Sequence, residues 1–477
     1  MQKILLFIAS LFYFNFLFSK NEIKSWQGIH ETPLSRLEQQ FAEPPVEFAN
    51  HVIWGWEGKM DKKTICNDLD SIKKKGFRAV IFEAGYKLPF KYLSEEWFKA
   101  IRTGVVEAKK RDMKVWIIDE GKYPSGFAGG KFSQERPDLR MQALVIGDTI
   151  QIKRGEVMTN HKIAPEIISA VAVSTSGAPN RTVEINNGKI SFNAGLDDWK
   201  ILLVKSDFRT AVTRAVNNPN GGKDATNSLC DYLNPVAVQQ FIDWTHKQYK
   251  KYLGKELGTT VLGFRGDEPD YAHLPWTPSI VQTFKDTKGY DPTPYLASFF
   301  TASPTIQEQR VKADYWDVWS SLFATHFFKL QADWCAANGV AHITHLNKEH
   351  EMPACVKAEG DYFRALSKVQ IPGVDAIWNQ IWPSTLNDCP KLASSVAHVY
   401  GKPRAFSESF AAYHISPTIP QAKFVVDHQI ARGINFFEFM FWLAGSKHRN
   451  WMSDPGMKGL NEYTNRTTYL MSQGKPG

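Results

Sequence analysis

The chain has 477 residues, of which 43% are apolar and 22% charged, as is usual for a soluble globular protein. Its five cysteines are odd in number and show no Cys-x-x-Cys spacing, which excludes a disulfide framework as the main source of stability. The net charge of +8 comes from scattered lysines and arginines, so we interpret it as a mixed solvated surface rather than an attraction for acidic polysaccharide, and no motif indicates a nucleic-acid partner.

Residues 1–19 have the pattern of a secretory signal peptide. A short basic segment, residues 1–3, precedes an apolar run at 4–18, and Ser19 offers a small residue for cleavage. The run is too short to span a membrane, and no stop-transfer pattern follows it. We therefore expect a secreted or periplasmic protein without a transmembrane span. Residues 20–48 are then an N-terminal extension.

Strand-like and helical patterns alternate over residues 49–140. Asp61 and Ser94 are N-cap residues of two predicted helices, each followed by apolar residues at helical spacing. The predicted strands around these helices are the apolar runs 51–56, 79–82 and 115–118. This alternation predicts parallel βαβ units, the first part of a barrel.

The rhythm changes over residues 141–222, where short β-rich segments are separated by turns such as Asn186-Asn187-Gly188. We interpret this region as an antiparallel β insert after the third barrel strand. The barrel resumes over residues 223–446, beginning with the N-cap pair Asn234-Pro235. Its further predicted strands are 260–264, 341–346, 374–378, 404–407 and 434–440. Eight strands predict a (β/α)₈ barrel of the TIM type, and residues 447–477 are interpreted as the start of a further C-terminal region.

Polar and aromatic residues stand at the carboxyl ends of the predicted strands. In a (β/α)₈ barrel the loops at these ends build the active site. The first seven strands, in order, are closed by Trp54 and Trp56, Glu83, Asp119 and Glu120, Asp267 and Glu268, His345 and Asn347, Trp378 and Gln380, and Ser407 and Glu408. We expect these residues to converge on one substrate cavity.

Two of these carboxylates, Glu268 and Glu408, have the residue type that glycosidic cleavage requires. One carboxyl group protonates the leaving oxygen, and the other activates water or attacks the anomeric carbon. Structural interpretations remain open for both: Asp267-Glu268-Pro269 also resembles a helix N-terminus, and Glu408 could bond backbone amides in a loop.

A histidine-rich segment raises a metal site as the competing interpretation. His342, His345, Glu349, His350 and Glu351 lie close together in the chain. His342 and His345, however, are three residues apart and should point to opposite faces of a strand, and the set matches no standard zinc spacing. We therefore expect His345 to line the substrate cavity, and any metal ligands remain unknown.

Aromatic residues at the strand ends suit a sugar ring. Trp54, Trp56, Tyr123 and Trp378 could stack their flat faces on the C–H side of a pyranose. The alternative is that these rings simply fill the mouth of the barrel.

Several motifs in this order resemble glycoside hydrolase family 106, the α-L-rhamnosidases, and its unclassified bacterial relatives, from about residue 48 to 445. They are Trp54-Gly-Trp56, Asp119-Glu120 with Tyr123-Pro-Ser-Gly126, Asp231-Tyr-Leu-Asn-Pro235, Gly266-Asp-Glu-Pro269, Pro372-Gly-Val-Asp375 and Ser407-Glu-Ser-Phe410. Two features depart from the family: Arg265-Gly266 replace a smaller polar residue, and relatives usually continue into β-sandwich domains beyond the point where Gly477 stands.

The resemblance implies a secreted hydrolase that removes a terminal, rhamnose-like deoxyhexose from a complex polysaccharide in a Bacteroidetes-like bacterium. It implies inversion, with Glu268 as the general acid, Glu408 as the general base, Glu349 as the reserve candidate for the base, and a calcium ion near the substrate. The alternatives are a catalytically inactive glycan-binding barrel and a metal-dependent hydrolase.

Overall fold

The computed structural model describes residues 24–121, 123–210, 213–214, 223–224, 228–269, 271, 274–445 and 451–474. The predicted signal peptide lies outside the described residues. Among the helices of these ranges, none combines the length and the apolar character needed to cross a membrane.

The strands, in chain order, are β1 (His51–Trp56), β2 (Ala79–Ala84), β3 (Lys114–Ile118), β4 (Gln142–Ile152), β5 (Val157–Lys162), β6 (Ile167–Ser174), β7 (Arg181–Thr182), β8 (Lys189–Asn193), β9 (Trp199–Phe208), β10 (Thr213–Arg214), β11 (Lys223–Asp224), β12 (Val261–Gly266), β13 (Pro275–Trp276), β14 (Ala341–Thr344), β15 (Ile371–Ala376), β16 (Phe406–Ser409) and β17 (Phe436–Leu443).

The α-helices are α1 (Leu34–Ala42), α2 (Lys62–Lys74), α3 (Glu95–Lys110), α4 (Lys131–Glu135), α5 (Pro235–Trp244), α6 (His246–Leu253), α7 (Ile280–Lys288), α8 (Ile306–Leu322), α9 (Lys329–Ala337), α10 (Met352–Glu359), α11 (Tyr362–Leu366), α12 (Pro390–Val399), α13 (Ile419–Ile430) and α14 (Met457–Met471). Predicted N-caps bond as expected: Asp61 accepts a hydrogen bond from the amide of Thr64 at 2.9 Å, and Ser94 accepts one from that of Trp97 at 3.3 Å.

Eight parallel strands close into a barrel in the order β1-β17-β16-β15-β14-β12-β3-β2. The (β/α)₈ fold predicted from the sequence is therefore confirmed. These strands are apolar on both faces because one face fills the barrel and the other packs on the helices. The interior layer includes Ile53, Ile81, Trp116 and Phe406.

The antiparallel insert after the third barrel strand is also confirmed. A five-stranded sheet in the order β13-β4-β9-β6-β7 forms between β3 and the helices that follow, and β5 pairs with β8. Strand β13 comes from the loop after β12, so the insert sheet is joined to the catalytic end of the barrel.

Both ends of the described chain pack against the barrel. Trp26 inserts its ring beside Trp116 inside the barrel, with centroids 6.0 Å apart. Helix α14, which lies within the predicted C-terminal region, packs against α1 and α13. Its Asn465 accepts a hydrogen bond from the Asn50 amide at 2.6 Å, just before β1, so this segment belongs to the outer layer of the barrel.

Candidate active site

A cluster of charged side chains fills the barrel interior at the carboxyl ends of its strands. Arg265 on β12 is fully buried and makes three ion pairs: Nη1 with Oδ1 of Asp267 at 2.9 Å, Nε with Oε2 of Glu438 at 3.1 Å, and Nη2 with Oε2 of Glu408. Leu262, on the same strand, belongs to the apolar layer inside the barrel, and at Arg265 this layer is replaced by charged side chains. One guanidinium thus joins acidic side chains that lie on, or directly after, the three strands β12, β16 and β17.

Glu268 lies in a tight turn directly after β12. Its backbone φ of +37° lies in the left-handed region, which residues other than glycine seldom adopt. Backbone strain of this kind is concentrated at functional sites. Ser125 holds the turn: its hydroxyl accepts a hydrogen bond from the Asp267 amide at 2.6 Å and donates one to Oδ1 of Asp119 at 2.7 Å. The turn therefore fixes the direction in which Glu268 extends.

The neighbouring carboxyl groups of this site differ in their affinity for protons. Burial, reinforced by Asp267, Glu349 and Glu408, raises the pKa of Glu268 to about 8, although His345 opposes the shift. Burial would raise the pKa of Asp267 as well, but Arg265 and His345 hold it well below its ordinary value. Glu268 therefore carries a proton at neutral pH while Asp267 is ionised.

Two further carboxyl groups share this environment. Burial, with Glu408 as the main charged contributor, raises the pKa of Asp375 well above its ordinary value. Burial also raises the pKa of Glu438 to about 7, although Arg265 opposes the change. Close carboxyl groups cannot all ionise together, so protons are retained in the cluster at neutral pH.

His345 lies among the carboxylates of the cluster. Nδ1 donates a hydrogen bond to the Leu346 carbonyl at 3.0 Å and lies 3.4 Å from Oε1 of Glu349, while Nε2 lies 3.5 Å from both Asp267 Oδ1 and Glu408 Oε2. Burial lowers the pKa of the imidazole, but hydrogen bonds to Asp267, Glu349 and Glu408 raise it well above its ordinary value. Nε2 also lies 3.0 Å from Nη2 of Arg265, so the imidazole stands between the guanidinium and the carboxylates.

Glu268 and Glu408 come to the same mouth of the barrel. Carboxylate oxygens of both residues lie within 4.8 Å of a ring nitrogen of His345, Glu268 in a group with Asp375 and Glu408 in a group with Asp267. Glu408 directs Oε2 at Arg265 and His345, and within the described residues its Oε1 makes no hydrogen bond. The latter oxygen can accept a hydrogen bond from water or substrate.

Among the residues that the structure describes, the same two groups are the candidate cation sites at this mouth. Both include His345, whereas calcium prefers six to eight oxygen ligands. In the first group both carboxylates, those of Asp267 and Glu408, are already paired with Arg265. This donor set does not fit calcium, so the calcium ion implied by the resemblance stays a prediction and enters no step below.

His342 and His345 point to opposite faces of the barrel wall, as strand alternation predicts. His342 lies behind the wall, where its ring approaches His246 and Cys335 with donor atoms within 4.8 Å of one another. All three residues are buried, so this group has no access to a substrate.

The structure corrects the expectation that Trp54 and Trp56 bind sugar. Both side chains are fully buried on the outer face of β1. Trp54 donates a hydrogen bond from Nε1 to Oδ2 of Asp68 on α2 at 3.2 Å, and the Trp56 ring packs edge-on against Trp97 on α3, with centroids 5.8 Å apart. The inward positions of β1 belong instead to residues such as Ile53.

Asp119 and Glu120 are fully buried, and their recorded hydrogen bonds go to the loop after β3. Glu120 accepts hydrogen bonds from the amides of Gly121 at 2.5 Å, Gly129 at 3.1 Å and Ala128. Asp119 accepts the hydrogen bond from the Ser125 hydroxyl. Their role is to hold the loop after β3, which in turn supports the Glu268 turn.

The remaining predicted residues have diverse positions around the mouth. Glu349 is buried and accepts a hydrogen bond from the Leu346 amide at 2.9 Å. Asn347 donates a hydrogen bond to the Tyr123 hydroxyl at 3.1 Å. Trp378 is 52% exposed. Glu83 is buried next to Gly55 on the inner side of β1, and Gln380 is half-buried after β15.

The sequence predictions missed the site roles of Arg265, Asp375 and Glu438. The position of Glu438 could have been recognised from the sequence, since it is a single carboxylate within the apolar run Phe436–Leu443. A charge that is buried in such a strand needs a partner. The identity of that partner, Arg265 on the opposite side of the barrel, could not be read from the strand itself.

Comparisons with known proteins point to one family. The family model of glycoside hydrolase family 106, described as alpha-L-rhamnosidase, matches residues 154–476. A Formosa agariphila protein named "Putative beta-glucuronidase" is 23% identical over 518 residues, covering 93% of this chain and 42% of that protein.

A solved structure extends the likeness to the fold. The rhamnosidase from Novosphingobium sp. PP1Y superposes with a TM-score of 0.68 at 15% identity, over 92% of this chain and 61% of that one. The chain thus spans less than two thirds of either relative. Because the family model matches more than half of the sequence, the chain belongs to glycoside hydrolase family 106, the α-L-rhamnosidase family.

Proposed function

We propose that this chain hydrolyses the bond of a terminal sugar in a complex polysaccharide, with Glu268 as the general acid and Glu408 as the general base. The observation that carries the proposal is the contrast at one mouth of the barrel. The half-buried carboxyl group of Glu268 has a pKa raised to about 8, and it shares the surroundings of His345 with the carboxyl group of Glu408, which is ion-paired to Arg265.

The surroundings of each carboxyl group support its proposed role. Glu268 is protonated at neutral pH, so it can donate to the glycosidic oxygen as the bond breaks. The free Oε1 of Glu408 can take a proton from a water molecule that attacks the anomeric carbon. Arg265 and His345 fix the other oxygen of Glu408 and so orient the base. Glu349 remains the reserve candidate for this role.

Rhamnose, or a similar deoxyhexose, is the sugar that family membership favours. The relative named as a beta-glucuronidase makes a uronic acid the second candidate. A panel of aryl glycosides that includes the α-L-rhamnoside and the β-D-glucuronide tests the choice, and NMR of the first-formed product anomer tests inversion. Turnover of neither, with retained binding of the sugar, would replace the hydrolase proposal with the glycan-binding alternative.

Action outside the cytoplasm is part of the proposal and is supported by the apolar run at residues 4–18. Expression of the whole gene product in a Bacteroidetes host, followed by mass spectrometry of the exported protein, tests it. An N-terminus at residue 20 supports export by a cleaved signal peptide, whereas an intact Met1 in the cytoplasmic fraction contradicts it.

A further inference from the structure

Beside the catalytic mouth lies a groove of about 1170 Å³, larger than the cavity needed for one small ligand. Lys348, which lines it, directly precedes Glu349, and Oε1 of Glu349 is 3.4 Å from Nδ1 of His345. Leu274, in the segment after β12, forms another part of the wall. The groove therefore begins next to the carboxylate cluster, on the side of the strand that carries Glu268.

Helix α8 forms the far wall of the groove. A π-helical segment, Phe323–Phe328, joins α8 to α9, and α9 ends at Ala337, shortly before β14 begins. At about 1.5 Å per residue this helical run is much longer than a barrel strand, so its first turns project to the catalytic end. Lys312 and Trp316, one helical turn apart in these first turns, face the groove together.

The groove has an excess of positive charge. Lys312, Lys348 and Lys357 line it against a single acid, Glu351, and within the described part of the chain none of the three lysines forms a salt bridge. On other helices, lysines form salt bridges with an acidic residue four positions away, as Lys329 does with Asp333 at 2.5 Å. Unpaired cations that converge on a concave surface raise the local concentration of anions.

An aromatic surface accompanies the charges. The Trp316 ring is half-buried in the wall, and Nζ of Lys312 stands 5.6 Å from its centroid. A flat ring beside a cation suits a pyranose that carries an acidic group, because the ring packs on the C–H face while the ammonium group binds the anion.

We propose that this groove binds the leaving-group side of an acidic polysaccharide, through sugar units that carry carboxylate or sulfate groups. The inference rests on the proposed function, since it places the leaving group on the side of the acid Glu268. It changes the interpretation of the net charge of +8: part of this charge is organised into a binding surface.

The test is isothermal titration calorimetry of the full chain with three probes of similar length: tetragalacturonate, a sulfated dextran oligosaccharide and neutral dextran oligosaccharide. The variant K312A/K348A/K357A removes the three cations. The matched control is Lys74→Ala, an exposed lysine in the last turn of α2, which leads into the amino end of β2 and so lies at the opposite end of the barrel. Thermal unfolding checks that both variants are folded. If the triple variant does not fold, the single variant Lys357→Ala takes its place in the titrations.

We expect the wild type and Lys74→Ala to bind at least one anionic probe more tightly than the neutral probe, and the triple variant to lose about tenfold in that affinity. Preference for tetragalacturonate identifies a carboxylate ligand, and preference for the sulfated probe identifies a sulfate ligand. Equal binding of all probes, no binding of either anion, or a preference retained by the triple variant overturns the proposal. Aryl glycoside turnover is measured separately, so failure of the groove and failure of the hydrolase proposal give different results.

Discussion

Arg265 and Glu408 form an ion pair inside the barrel, although 143 residues separate them in the chain. The guanidinium is fully buried and also pairs with Asp267 and Glu438. Burying a charge costs free energy unless it is paired and hydrogen-bonded, so each member of this cluster depends on the others. Arg265 is thus the centre of the site.

Replacement of Arg265 by Met should lower the free energy of unfolding by about 3–5 kcal/mol, because three carboxyl groups of the barrel interior lose their common, fully buried partner. Urea unfolding at neutral pH measures this change. The control is Arg432→Met, which breaks an ion pair with the exposed Asp388 and should cost about 0–1 kcal/mol. Equal effects of the two variants would mean that the buried cluster is not held by Arg265.

Glu268→Gln removes the proposed proton donor with little change of shape. We expect kcat on an aryl glycoside with a poor leaving group to fall about 10²–10⁴-fold, and to fall much less with an activated leaving group that needs no proton. The matched control, Glu462→Gln on the exposed side of α14, should leave both rates unchanged. An equal loss on both leaving groups would remove Glu268 from the role of acid.

The raised pKa of Glu268 predicts the alkaline limit of activity. The acid must be protonated to act, so kcat/KM should decline as the pH rises through about 8. The pH profile of the wild type on a substrate with a poor leaving group measures this limb. The residual activity of Glu268→Gln should lack it, and an unchanged limb in that variant would assign the ionisation to another group.

The exposed Trp378 and the buried Trp54 should respond to truncation in different ways. Trp378→Ala should raise KM about 3–10-fold with little change in Tm, because it loses a ring at the mouth that can stack on sugar. Trp54→Ala should instead lower the free energy of unfolding by about 3–5 kcal/mol, because it opens a cavity between β1 and α2. A raised KM in a fully stable Trp54→Ala protein would contradict this assignment.

Asp231 provides a test of pH-dependent stability outside the catalytic cluster. Burial raises its pKa to about 7, while hydrogen bonds from Thr277 and the Leu233 amide oppose the shift. A raised pKa means that the folded state holds the proton more tightly. The associated stability is therefore fully present below the ordinary pKa near 4 and is lost as the pH rises through about 7.

Asp231→Asn mimics the protonated form, because its amide can still accept from Leu233 and donate to Thr277. Urea unfolding from pH 4 to pH 8 should show that the decline in stability over this range is smaller in the variant, by an amount on the order of 2–4 kcal/mol. Parallel pH profiles for the variant and the wild type would show that Asp231 is ionised in the folded protein.

The sequence by itself determined the local features of this protein. Eight strand segments and the N-caps Asp61 and Ser94 could be predicted because apolar periodicity and capping depend on residues close together in the chain. The antiparallel insert was equally visible, because its turns and short β-rich segments interrupt the alternation of strand and helix.

Only the tertiary structure decided which polar residues face the cavity. Trp54 and Glu120 stand at strand ends like Glu268 and Glu408, yet the first packs outward on α2 and the second binds backbone amides. In a strand, a shift of one residue turns a side chain to the opposite face of the sheet. Strand boundaries predicted from sequence are uncertain by more than one residue. The proton affinities of Glu268 and Asp267 likewise depend on Arg265 and His345 and on burial, which are brought together by closure of the barrel and not by the local sequence.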